Sequence, residues 1–184
     1  MAGPRDGNGV KPCVDGKPHC FSSSPERFDD NDLFNADYGT TAGWLVDPFK
    51  YDKPLAEALS ELKGAIAAYP PGQRGIDGGG FKLMEERSDE KTAYLYVQFE
   101  SGRKGYIDDV EFALGSGVAN VRTSSRIGYT DMGVNAKRFN WFADRLGGTA
   151  GWATRPLRSK GHEEYFSLNG VSDKDMATRA PTPR

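Results

Sequence analysis

Histidine is scarce in this chain of 184 residues: only His19 and His162 occur, both in stretches without regular periodicity, and no Gly-x-Ser-x-Gly stretch accompanies them. A nucleophile with its base and orienting partner has no recognisable parts here. Gly78-Gly79-Gly80 runs into Phe81-Lys82 and a strand pattern, not into Lys-Ser or Lys-Thr and a helix, which excludes a phosphate loop. No apolar run approaches the roughly 20 residues that span a bilayer, and Met1 to Asp6 lacks the apolar stretch of a signal peptide. The expectation is a soluble chain without a transmembrane segment; a cleaved presequence would leave the same appearance. Charge of either sign is not in excess, with 24 Lys+Arg against 26 Asp+Glu, so net charge draws the chain neither to nucleic acid nor to an anionic membrane. The balance is uneven along the chain: residues 1–118 hold 13 basic and 20 acidic groups (−7), residues 119–184 hold 11 and 6 (+5). No cofactor and no metal ion is called for by any spacing.

The two cysteines share one segment, Cys13-Val14-Asp15-Gly16-Lys17-Pro18-His19-Cys20. An even pair enclosing Gly and Pro suits a small disulfide loop of the kind that persists in oxidising compartments. Two free thiols in a flexible arm are the alternative. Structural zinc would need more ligands than His19 adds, and a redox dithiol normally spaces its cysteines by two.

Residues 1–54 are rich in Gly, Pro, Asp and Ser without apolar period and read as an irregular arm, anchored by Trp44, Leu45, Val46 and Phe49. From Pro54 the apolar positions Leu55, Ala58, Leu59, Leu62, Ile66 and Tyr69 recur at three or four, one face of a helix that Pro70-Pro71-Gly72 ends. Strand alternation follows at Lys82 to Arg87, Ala93 to Glu100, Tyr106 to Leu114 and Val118 to Ser125, with Gly115-Ser116 placed at the last turn. Val134 to Leu146 is a second helix closed by Gly147-Gly148, and residues 149–184 read as an extended tail. The predicted fold is α+β: a four-stranded antiparallel meander over residues 55–148 with both helices on one face, flanked by irregular arms.

The run Tyr106-Ile107-Asp108-Asp109-Val110-Glu111-Phe112 and the run Val121-Arg122-Thr123-Ser124-Ser125-Arg126-Ile127-Gly128-Tyr129-Thr130-Asp131-Met132-Gly133-Val134-Asn135-Ala136-Lys137-Arg138 resemble the core signature of domain-of-unknown-function family 1499. Cys20-Phe21-Ser22-Ser23-Ser24 is similar to that family's opening, so the resemblance covers roughly residues 20–148; Cys13, the Gly72 to Gly80 stretch and the tail stand outside it. The family has no established activity. The resemblance implies a bacterial or phototroph setting, with the thylakoid lumen of a chloroplast as the expected location and the bacterial cell envelope as the alternative.

A Gly115-Ser116 turn would set Asp109 opposite Arg122 and Val110 opposite Val121. One sheet face then carries Asp109, Glu111, Arg122 and Ser124, with Arg126, Asp131 and Arg138 near its end. Cross-strand ion pairing accounts for such a cluster, with Asp131 favourable at the second helix's N-terminus; an anion- or partner-binding face is the functional alternative. Asp108, Asp109 and Glu111 cannot converge on one metal, because strand neighbours face opposite ways. In the two arms Trp44, Phe49, Trp152, Tyr165 and Phe166, beside Arg155 and Arg158, are expected to be exposed anchors for a partner, the alternative being that both ends wrap back over the domain. The functional expectation is a non-catalytic accessory or interaction protein, bound from the lumenal side to a photosystem-type membrane assembly. A lipid or pigment carrier with a cavity between sheet and helices is second, and an enzyme of unknown type third.

Overall fold

A computed structural model describes residues 7–13, 16–25 and 42–176; residues 1–6, 14–15, 26–41 and 177–184, which include much of the expected N-terminal arm and the end of the tail, lie outside the described residues. The elements in chain order are β1 (Cys20–Ser22), β2 (Phe49–Tyr51), α1 (Leu55–Ala67), β3 (Gly80–Ser88), β4 (Thr92–Glu100), β5 (Ile107–Gly115), β6 (Val118–Ser125), α2 (Val134–Gly147), β7 (Trp152–Ala153), α3 (Glu163–Asn169) and α4 (Asp173–Met176).

The meander from β3 to β6 and the two long helices follow the apolar periods. Leu95, Val97 and Phe99 of β4, Val110, Phe112 and Leu114 of β5, and Val121 of β6 point to one face. There they meet Ala58, Leu62, Ala65 and Ile66 of α1 and Phe139, Phe142 and Leu146 of α2 in a single buried cluster. Fold class α+β with helices over an antiparallel sheet is therefore what the chain adopts. The four-stranded count is corrected: among the described residues the sheet has seven strands, ordered β3-β4-β5-β6-β2-β7, with β1 also on β6. The far edge of β6 is shared end to end. β2 pairs there through Phe49↔Ala119 and β1 through Cys20↔Ser124, Phe21↔Thr123 and Ser22↔Arg122. Between them the Ser23 hydroxyl accepts from the Val121 amide at 2.9 Å, closing the gap in the ladder.

The hairpin register is also corrected. The turn residues are Ser116 and Gly117, both with positive φ (52° and 77°), as a two-residue hairpin turn of this hand requires. Moving the turn by one residue moves every cross-strand partner by two: Arg122 lies opposite Glu111, Asp109 opposite Ser124, and Phe112 opposite Val121. A shift of two preserves the faces, so the expected apolar and polar sets survive.

The described residues of both arms pack on the domain. Trp152 lies at β7, where Tyr51 pairs with it across the strands and their rings are 5.5 Å apart. Leu157, Tyr165, Phe166 and Met176 join the main core, and residues 8–10 cross the outer sheet face, where Val10 packs on Tyr94 and Ala113. Cys13 and Cys20 are joined as a disulfide, buried against Trp44.

Candidate functional site

The sequence signature divides into a buried polar frame and an exposed loop. Arg138 of α2 has no exposed surface. Its Nε donates to Asp77 Oδ2 at 2.9 Å, and its Nη2 donates to Asp77 Oδ1 at 2.5 Å and to Asp108 Oδ2 at 2.8 Å. The Phe99 ring lies beneath, with the guanidinium carbon 4.6 Å from its centroid. Burial alone would make this cation easier to discharge, but the fields of Asp77 and Asp108 outweigh it and hold Arg138 more firmly charged than an arginine in water. Tyr69 donates to Asp77 Oδ2 at 2.5 Å, and burial beside that carboxylate raises the phenol's pKa.

Asn135, one turn before Arg138, ties this frame to the loop. Its Oδ1 accepts from Thr123 Oγ1 and from Arg138 Nη1 (2.9 Å), and its Nδ2 donates to Asp131 Oδ2 (2.7 Å), Ser125 Oγ (3.0 Å) and the His19 carbonyl (3.0 Å). Asp131 is buried at the head of α2. Its Oδ1 accepts from the Gly133 amide (2.9 Å) and Tyr165 Oη (2.7 Å), and its Oδ2 accepts from the Asn135 amide (3.0 Å). It satisfies free N–H groups of the first turn, the placement expected of it. Burial raises its pKa, although these hydrogen bonds pull back. Its own amide donates to Asn169 Oδ1 at 2.9 Å, and Asn169 Nδ2 donates to the Pro18 carbonyl at 2.8 Å.

Between Ser125 and Val134 the chain therefore forms a loop whose base is tied to four segments, while its other side chains face water: Ile127, Tyr129 and Met132 are 54%, 61% and 74% exposed. Met132 takes a left-handed conformation (φ 55°), costly for a side chain of its size. Gly133 follows at φ 76°, where an added Cβ would lie 2.9 Å from Val171 Cγ1, so this turn admits only glycine without a shift of α4 and its approach.

The single cluster expected from the sequence is corrected to two, on opposite sheet faces. Asp131 and Arg138 belong to the helix side with Asp77 and Asp108; Asp109, Glu111, Arg122 and Arg126 belong to the outer face. There Glu111, fully buried, accepts from Tyr94 Oη (2.7 Å) and Arg122 Nη1 (3.1 Å). Arg126 grips Asp109 with two nitrogens at 2.9 Å, and Tyr96 Oη donates to the same carboxylate at 2.6 Å. The carboxylate hydrogen-bonded to Arg126 raises that guanidinium's pKa. Ser124 takes no part: among the described residues its hydroxyl reaches only the Ser125 carbonyl, at 3.4 Å. These pairs are cross-strand ion pairs in their geometry, and Asp108 turns away from Asp109 and Glu111 as the strand pleat demands.

The expected exposed anchors are corrected as well. Trp44, Phe49, Trp152, Tyr165 and Phe166 are all buried, because each packs into the domain that the arms wrap. The Trp44 indole donates to the Lys17 carbonyl (2.6 Å), and the Trp152 indole to Glu61 (2.6 Å). Only Arg155, paired with Asp47 at 2.9 Å, and Arg158 lie at the surface. Asp108 and Asp77 were not anticipated. Asp108 carried a signal, being in phase with Val110, Phe112 and Leu114; Asp77, in a glycine-rich stretch, carried none. Among the described residues no three His, Cys, Asp or Glu side chains are grouped to hold a metal ion.

No curated protein and no solved structure matches the chain. The family model described as protein of unknown function (DUF1499) matches residues 10–146, a span that takes in Cys13, the glycine-rich stretch, the loop and the frame around Arg138, but not Tyr165 and Asn169, which brace Asp131 from α3. The chain therefore belongs to the DUF1499 family.

Proposed function

We propose that the protein is a non-catalytic accessory protein that binds a membrane assembly through the loop between β6 and α2. The observation that carries this reading is the division of the signature: Asp131, Asn135 and Arg138 are spent inside on holding the loop, and Ile127, Tyr129 and Met132 are presented outside. Apolar side chains held out on a tethered, strained loop bind with little ordering cost. The buried carboxylates Asp77, Asp108 and Glu111, and the part-buried Asp109, are each engaged by an arginine, an arrangement that favours structure over proton transfer. The disulfide supports an oxidising location such as the thylakoid lumen or the cell envelope. A photosystem as the assembly rests on the family resemblance alone. The carrier reading gains nothing from the space lined by Phe49, Val110, Phe112, Phe139 and Phe142, which has no room for a water molecule.

The test is fractionation of native membranes carrying tagged wild-type protein or the triple variant Ile127→Ser, Tyr129→Ser, Met132→Ser. Wild type should migrate with a large assembly and the variant as a monomer of unchanged melting temperature. Wild type migrating as a monomer, or the variant remaining in the assembly, overturns the reading.

A further inference from the structure

Seven large apolar side chains are exposed among the described residues: Leu83, Met84, Tyr106, Ile127, Tyr129, Met132 and Leu168. Five of them gather at one end. Ile127, Tyr129 and Met132 are on the loop itself. Tyr106 closes the turn between β4 and β5, and its neighbour Ile107 accepts from the Arg126 amide at 3.2 Å, so this turn lies beside the start of the loop. Leu168 precedes Asn169, whose side chain holds the Asp131 amide. The sheet topology requires this convergence: β4 ends, β5 begins and β6 ends on the same side, and α2 starts there.

The unpaired cations at this end sit on the β4–β5 turn, on the side of the loop that carries Tyr106. Arg103 and Lys104 are exposed on the β4–β5 turn, make no ion pair among the described residues, and Lys104 lies 5.7 Å from the Tyr106 ring centroid. Arg126 is half exposed while holding Asp109. Of the acidic groups here, Asp108 and Asp131 are buried and Asp109 is paired; Glu100 is exposed on the same turn, and Glu164, Asp173 and Asp175 are exposed on the α3–α4 side, behind Met132 and Gly133. Net charge, at −2, conceals the excess of cations on that turn.

We propose that this end is a membrane-docking face: Ile127, Tyr129 and Met132 enter the interfacial zone of a bilayer while Arg103 and Lys104 meet anionic lipid headgroups. The proposal rests on the loop being the binding surface, and it names what that surface binds. Tyrosine favours the water–lipid boundary because its ring is apolar and its hydroxyl stays hydrated. Exposed apolar tips flanked by unpaired cations are the combination that holds a protein on an anionic bilayer without a spanning segment. A protein partner would supply pockets and carboxylates instead, and that is an outcome the test separates.

Full-length protein is sedimented with vesicles of phosphatidylcholine alone and of phosphatidylcholine mixed with phosphatidylglycerol. Wild type should bind the anionic vesicles at low ionic strength, bind the neutral ones less, and lose binding as salt is added. The triple loop variant should show at least about a tenfold lower partition coefficient, and Arg103→Glu with Lys104→Glu should abolish the preference for anionic lipid. Tyr129→Trp should gain fluorescence quenchable by brominated acyl chains on binding. Absence of wild-type binding to anionic vesicles overturns the proposal, as does unchanged binding by the loop variant. If vesicles are not bound but the loop variant still leaves the native assembly, the lipid face falls and the accessory reading stands, with a protein as the partner. If vesicles are bound through the loop but the native assembly is indifferent to it, the accessory reading falls and the lipid face stands.

Discussion

Arg138 and Asp77 stand 61 residues apart in sequence and share two hydrogen bonds in a site closed to water, with Asp108 on the same guanidinium. Such a group joins α2, the β4–β5 layer and the stretch before β3, elements that otherwise meet through apolar contacts. Truncating the arginine would strand two carboxylates. Arg138→Met should therefore cost about 3–5 kcal/mol in urea unfolding. Adding Asp77→Asn and Asp108→Asn to that variant should restore part of the loss, since no uncompensated charge then remains. A cost below about 1 kcal/mol for Arg138→Met alone would show that water reaches the site.

The ends of the chain make a second prediction. Trp152, Leu157, Tyr165 and Phe166 are each at least nine-tenths buried. At about 1.5–3 kcal/mol for each buried large side chain, their removal costs about as much as the whole stability of a domain, roughly 5–15 kcal/mol. Deleting residues 149–184 should abolish cooperative thermal unfolding in circular dichroism. A short form that melts like the full chain would show that the tail is dispensable to the core.

That prediction reverses the sequence expectation for the same residues, and the reason is physical. Strands of two or three residues such as β1, β2 and β7 are too short to display a period of two, so composition alone made the arms look irregular. The helices and the meander were legible because nine-residue strands and thirteen- or fourteen-residue helices repeat their period several times. The face of Asp109, Glu111 and Arg122 was legible for the same reason. Their pairing was not, since a register shift of two leaves the pattern of faces untouched and only the conformation of Ser116 and Gly117 selects between the alternatives. The frame around Arg138 was half legible. Asp131 and Arg138 stood in the signature, but Asp77 reaches them through tertiary structure alone.

Reduction of the disulfide between Cys13 and Cys20 provides a third test. The bond closes a short loop, with a sequence separation of 7, so the chain-entropy model assigns it about 2–3 kcal/mol. Cys13→Ser with Cys20→Ser should lower stability by that amount. Both cysteines are buried beside Trp44, so thiol alkylation under reducing conditions should be slow in native buffer and fast in denaturant. Intact-mass analysis of native protein should show the loss of two hydrogens, and two alkylatable thiols in unreduced protein would refute the bond.

Asp131 should leave a pH signature of unusual sign. Burial is the largest influence on this carboxyl and raises its pKa, with donors from Tyr165, Asn135 and Gly133 opposing. In the unfolded chain the same group releases its proton near about pH 4. Just above that pH the folded chain still holds the proton while the unfolded chain has lost it, so the folded state binds more protons. Stability contributed by Asp131 is thus complete below the unfolded value and declines as pH rises through the folded one. Glu61 and Asp89, whose pKa values are lowered, act in the opposite sense. Comparison with Asp131→Asn cancels them, because both proteins contain them. The asparagine does not titrate, and its amide sets an N–H group against the donors now shared by the two oxygens, which should cost about 1–3 kcal/mol at low pH. Urea unfolding of the two proteins across the acid range should show the wild type's advantage shrinking as pH rises above about 4 and then levelling off. An advantage that grows with pH would mean that the hydrogen bonds outweigh burial and that Asp131 is held as a carboxylate in the folded protein.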